Sequence, residues 1–226
     1  MISDLITDKI NQELQPFINS AVKALLLKDD PRLLIYRDLI TLADWDEAKK
    51  VDVIVSIHLL QLSLDLHRQV LSQTSERKTE IILIGDYLSA QHYDLLASHS
   101  EYQLIKTLAS VTKTINQLNI NVDKISPHNF NHCIKINAQI DTLIINQLLK
   151  YFNLAELNLV ITEASYYYSL IAFSQSESSV DEVKSMIPFR RSSLNNTERQ
   201  IHVRYQGLVH MIKKQLKRHF HLAYLA

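Results

Sequence analysis

Apolar positions recur along this chain at helical spacing, and strand-like alternation is absent. Over Asp4–Ser20 the apolar residues are Leu5, Ile6, Ile10, Leu14, Phe17 and Ile18, one face of a helix that Pro16 kinks or ends. A second helix is expected over Ser20–Leu27. Asp30-Pro31 reads as a helix start, with Asp at the cap and Pro in the first helical position, and opens a helix to about Leu42. Asp44-Trp45-Asp46-Glu47 reads as another start. Val51–Leu71 is apolar nearly all round, the mark of a buried helix. Its one polar stripe is His58, Gln61, Asp65 and Arg68, spaced to share a face.

Ser72–Thr79 is polar and reads as a loop. Glu80–His99 is the next long helix. Glu101–Leu118 follows, with Leu104, Ile105, Leu108, Val111 and Ile115 as its core stripe. Asn119–His128 reads as a loop or helix start, and Cys133–Phe152 and Ala155–Phe173 as two further helices. Ser174–Ser179 is the best linker candidate, Pro188–Thr197 a second polar break, and a last helix covers Glu198–Tyr224. The fold class is therefore all-α, a helical bundle. A core spans residues 1–173, and residues 174–226 hold a linker and a basic C-terminal helix packed on the same domain.

Composition sharpens this. Two glycines, Gly85 and Gly207, in 226 residues leave no material for a phosphate-cradling loop, a dinucleotide turn or a nucleophile elbow. The single cysteine, Cys133, excludes an internal disulfide and a multi-cysteine metal site. Met1–Gln15 lacks the pattern of a signal peptide, and charges interrupt the longest apolar run, so cytoplasmic residence is expected. The zero net charge hides an asymmetry. From Val183 onward there are nine Lys or Arg and one acid. That leaves 15 of the 24 bases and 23 of the 24 acids before it, so the body carries −8 and the tail +8. The tail reads as a solvated helix face, or as a peripheral contact with an anionic membrane surface or a diphosphate. No nucleic-acid motif accompanies it, and no nucleic-acid partner is expected. His128 and His132 lack a nearby acid, and the Tyr166-Tyr167-Tyr168 run reads as amphipathic packing.

The chemistry-bearing segment is Ile82–Ala97, ILIGDYLSAQHYDLLA. It resembles the LxGDYLxAxxxxLLA helix of the trans-prenyl diphosphate synthases. Before it stands VSIHLLQLSLDLHRQVL (Val55–Leu71), where the catalytic members have their LIHDDxxD helix, and after it IKTLASVTKTINQLNINV (Ile105–Val122). In order and at compatible spacing, the three resemble the small subunit, component I, of heteromeric hexaprenyl or heptaprenyl diphosphate synthases. Its patterns are xLDxHxxV, GDYxSxxYYxLLA and IxxLAxxIKxINxxKI. The match covers about 70 residues, Val51–Val122.

The resemblance implies a trans-prenyl synthase scaffold without its aspartate-rich motifs. Prenyl elongation needs magnesium held by hard oxygen ligands around an allylic diphosphate. Asp65 is one carboxylate where a cluster of three is required, and an Arg-rich diphosphate loop is missing before Gly85. The expected role is a non-catalytic regulatory subunit with no cofactor of its own. The catalytic large subunit would carry the magnesium, and the pair would make the polyprenyl side chain of menaquinone. The alternative is a free-standing helical adaptor for an isoprenoid lipid or a membrane surface.

Interface candidates are Asp65, His67, Arg68, Gly85, Asp86, Tyr87 and Tyr93. Each also has a plain reading. Asp65 would pair with Arg68 or His58 along its own helix, and His67 would be a core or edge residue. Gly85 would let two helices approach closely, Asp86 would be structural, and Tyr87, Tyr93 and Leu96 would share one broad core face.

Overall fold

The computed structural model describes residues 2–17, 20, 26, 30–41, 43–70, 74–122 and 130–153. Every regular element among them is helical, so the chain is all-α as expected. The chain divides into two compact units, Met1–Thr112 and Lys113–Ala226.

In the first unit, α1 (Ile2–Leu14) buries Ile6, Ile10 and Leu14, one side chain per turn. Pro16 then falls in a short 3-10 turn, Gln15–Phe17, since its ring and missing N–H do not fit a continuing helix. α2 (Pro31–Ile40) begins as its dipeptide predicts: the Asp30 carboxylate accepts the Arg32 backbone N–H at 2.9 Å, and Pro31 takes the first position. It buries Tyr36, Leu39 and Ile40.

The centre of this unit is α3 (Glu47–Gln69), capped by Asp46, whose carboxylate accepts from the Lys49 N–H at 2.8 Å. Every residue from Val53 to Leu64 is buried, whichever way it points. Helices α1, α2 and α4 (Ser75–Ser98) all pack against it. A helix so enclosed must pair each polar group it carries. Asp52 meets Lys9 Nζ of α1 at 2.9 Å and His99 Nε2, beyond the end of α4, at 2.8 Å. Partial burial works against the Asp52 carboxylate, but His99 and Lys9 outweigh it and hold its pKa below the ordinary value. Ser56 Oγ donates to the His92 carbonyl oxygen of α4 at 3.1 Å, and His92 Nδ1 lies 3.1 Å from the Ser56 carbonyl oxygen.

Helix α4 begins five residues earlier than its sequence suggests, at Ser75 and not Glu80. Ser75, Arg77 and Thr79 face solvent, so this polar stretch is an exposed helical turn and not a loop. Just past the helix, Ser100 takes φ 57°, while its N–H bonds the Ala97 carbonyl and Glu101 N–H the Leu96 carbonyl. Glycine usually fills that left-handed position, and here serine does. α5 (Tyr102–Val122) buries Leu104, Leu108 and Val111 before the unit boundary and Ile115 beyond it. It runs past the expected break at Asn119.

In the second unit, α6 (Phe130–Tyr151) buries Ile140, Ile144, Ile145, Leu148 and Leu149, a helical stripe near the predicted bounds. Expectations for Ala155–Phe173, Ser174–Ser179, Pro188–Thr197, Glu198–Tyr224, the tyrosine run and the boundary at residue 174 lie outside the described residues. So, apart from Ser20 and Leu26, does the helix expected over Ser20–Leu27. Among the described residues no helix is long and apolar enough to cross a membrane.

His92 yields a prediction. Burial lowers its pKa to about 4, only partly opposed by the Ser56 carbonyl. Burial likewise lowers that of His58. Both imidazoles are neutral in the folded protein above the unfolded value of 6.5. As pH falls from 6.5 towards 4, the unfolded chain takes up protons that the folded chain refuses. His92 alone should then remove about 3 kcal/mol of stability. Denaturant melts at stepped pH should show that loss, and His92→Gln should flatten it.

Candidate functional site

Two places on α3 and α4 gather the residues singled out in the sequence. The first is the polar stripe of α3. Asp65 was expected to pair within its own helix, with Arg68 or His58. A cation from α2 holds it: Arg32 Nη2 donates to Asp65 Oδ2, while Arg32 Nε contacts Asp30 at 2.8 Å. Asp65 Oδ1 accepts from Gln61 Nε2 at 3.0 Å, and Gln61 Oε1 accepts from the buried Tyr36 hydroxyl at 2.9 Å. A guanidinium can bridge two carboxylates at once, so Arg32 ties α2 to α3 while Gln61, one turn away on α3, takes the other Asp65 oxygen.

The electrostatics follow from that bridge. Burial works to raise the Asp30 carboxyl, yet the charge and hydrogen bonds of Arg32 hold it below the ordinary value. Burial likewise works against the Arg32 charge, and Asp65 with Asp30 more than restores it. His58 sits in the field of all three, and its Nδ1 is buried without a hydrogen-bond partner among the described residues.

A magnesium ion would need several free hard oxygens. One oxygen of Asp65 is on Arg32 and the other on Gln61, so these residues do not fit a magnesium site. Among the described residues no three His, Cys, Asp or Glu side chains converge as a metal ion would require.

The second place is where α3 touches α4. His67 points there. A Cβ built on Gly85 would lie 2.9 Å from His67 Cε1 and Nε2, so the glycine makes room for an imidazole. Close helix approach was the packing expectation for Gly85, and this ring is what approaches. His67 Nε2 then lies 3.3 Å from Asp86 Oδ1, on a carboxylate side chain that remains 67% exposed. Arg68 is half-buried in the last turn of α3, where carbonyl dipoles favour a cation.

The tyrosines depart from the core reading. Leu96 is fully buried, but Tyr87 and Tyr93 are more than a third exposed. Six residues at 100° per residue set Tyr87 and Tyr93 120° apart, too far for one core stripe. They border the outward face of α4. Tyr87 packs edge-on against Phe17 with ring centroids 5.0 Å apart, and Tyr93 lies against His92 at 4.9 Å. Between them the face exposes Ile82, Leu83, Asp86, Ala90, Asp94 and Ala97.

The sequence marks Asp30 only as a helix cap and does not single out Arg32, Ile82, Leu83 or Asp94. A signal existed for Arg32: a cation in the first turn of a helix opposes the macrodipole and implies a carboxylate nearby.

Two substitutions test this geometry. Arg32→Ala strands the buried Asp30 carboxylate and should cost about 3 kcal/mol in denaturant melts. Arg32→Lys should recover only part, because an ammonium cannot reproduce the fork. For Gly85→Ala, the helix-propensity gain should be offset by displacement of the imidazole. In a His67→Ala background the same change should stabilise by about 1 kcal/mol.

Comparison with known proteins places the chain. Residues 15–219 match the family described as heptaprenyl diphosphate synthase (HEPPP synthase) subunit 1. A curated relative, heptaprenyl diphosphate synthase component 1 of Geobacillus stearothermophilus, is 32% identical over 66 residues. That stretch covers 28% of this chain and 30% of the relative, so it spans less than a third of either. No solved structure matches. The match to the family extends over most of the chain, including all of the helices that build both places, and the chain belongs to the heptaprenyl diphosphate synthase subunit 1 family.

Proposed function

We propose that this chain is the non-catalytic, regulatory subunit of a heteromeric synthase of long all-trans polyprenyl diphosphates. One observation carries the reading. On α3 the carboxylate nearest in sequence to a metal motif is already neutralised by Arg32, while on α4 an apolar face with two tyrosines at its borders stands open to solvent. The first is a poor place for chemistry, and the second is a good place for another protein. Tyrosine and aliphatic side chains are the usual material of interface centres.

In this reading the large subunit holds magnesium and both substrates, and it docks on α4. Product length depends on how deep an apolar tunnel the growing chain can enter. A subunit packed against the catalytic helices sets that depth or keeps the tunnel open. His67, pressed against Gly85, and Asp86 then serve to fix the height and tilt of the docking helix. The product is destined for the side chain of menaquinone. The complex works in the cytoplasm, and the basic C-terminal tail contacts the membrane surface where the lipid is used.

The test is an elongation assay with farnesyl diphosphate, labelled isopentenyl diphosphate and magnesium. This chain alone should make nothing, and long product should form only when it is mixed with the large subunit. A mixture that yields the same products as the large subunit alone would sink the proposal.

A further inference from the structure

Resting on the reading that α4 is the docking helix, we infer that Asp86 and Asp94 make its outer face choose a cation-bearing partner helix over a second copy of this chain. The face is built around small and acidic residues. At 100° per residue, Asp86, Ala90 and Ala97 lie along its midline. Ile82 and Tyr93 form one border, and Leu83, Tyr87 and Asp94 the other. Ala90 and Ala97 allow another helix to come close. The basic residues of this helix, Arg77 and Lys78, lie in its first turn, and no Lys or Arg occurs from Thr79 to Ile105, the stretch that carries both acids. From α3, His67 makes one 3.3 Å contact with Asp86, which leaves most of that carboxylate facing outward.

A two-fold pairing of two copies brings like charges together. In an antiparallel pair centred on Ala90, Leu83 comes level with Ala97 near the midline, an arrangement that covers apolar surface. The same register sets Asp86 against Asp94, and symmetry does so twice. Centring the pair on Asp86 sets the two copies of that residue against each other. A parallel pair sets each aspartate against its own copy. Burying unpaired carboxylates is costly in every case.

A partner helix with apolar residues flanking lysine or arginine opposite Asp86 and Asp94 would remove that cost and gain attraction. The acids thus work against self-association and for a heteromeric complex on one and the same face.

Charge exchange within this chain tests the idea without knowing the partner's sequence. D86K/D94K should pair with the wild-type full-length chain in sedimentation velocity, and added salt should weaken that pairing. Neither chain should pair through this face alone. The neutral variant D86N/D94N should self-associate more strongly than wild type. Circular dichroism should show both variants folded, since the substituted side chains are exposed. Against the catalytic subunit, D86K/D94K should bind at least about tenfold more weakly.

A charge-exchanged mixture that forms no more dimer than its components overturns the inference, and so does a neutral variant that associates no better than wild type. A separate variant, L83E/Y87E, examines the docking reading itself. If it still binds the catalytic subunit normally, that reading fails. If it loses the subunit while the charge-exchange result is negative, the charge selection alone fails.

Discussion

Helix α3 is enclosed on all sides for more than three turns, and that enclosure constrains what surrounds it. An enclosed helix loses water on every face, so polar side chains such as Ser56, Gln61, Asp52 and Asp65 take partners in other helices, while His58 Nδ1 stays without a hydrogen bond among the described residues. Those partners are Tyr36 and Arg32 in α2, His92 in α4 and Lys9 in α1. Each contact fixes one neighbour against the central helix. Apolar burial supplies most of the driving force, and the polar contacts specify register.

Helix α4 shows how one element divides its labour. Its inner side carries Ile81, Ile84, Leu88 and Leu95, with His92 held neutral by burial. Its outer side also carries apolar residues, Ile82, Leu83, Tyr87 and Tyr93, around two aspartates, and faces water. An apolar face on both sides belongs in a core or in an assembly, and a soluble monomer rarely maintains one. The two sides meet at Gly85, where removal of a single side chain lets α3 reach through to Asp86.

Much of this was legible in the sequence, and the rest was illegible for definite reasons. The all-round apolar run from Val51 to Leu66, the caps at Asp30 and Asp46 and the break at Pro16 are local signals, and they hold among the described residues. Polar segments misled at Ser75 and Asn119, because an exposed helical turn and a loop share a composition. The bridge from Arg32 to Asp65 spans 33 residues of chain, and nothing local marks its far end. The core reading of Tyr87 and Tyr93 does not hold, because a spacing of six falls between helical periods. The role of Gly85 could be anticipated, but not that His67 would fill the space.

Arg32 also limits what else α3 could carry. Suppose carboxylates were added to α3 one at a time. Each would arrive beside a guanidinium already gripping Asp30 and Asp65, and a divalent cation would meet a fixed positive charge. Removing Arg32 first would leave the Asp30 carboxylate buried and uncompensated. Neither step is favourable without the other. The ion bridge therefore acts as a latch: neither its cation nor its carboxylates can be exchanged singly without leaving a partly buried charge uncompensated.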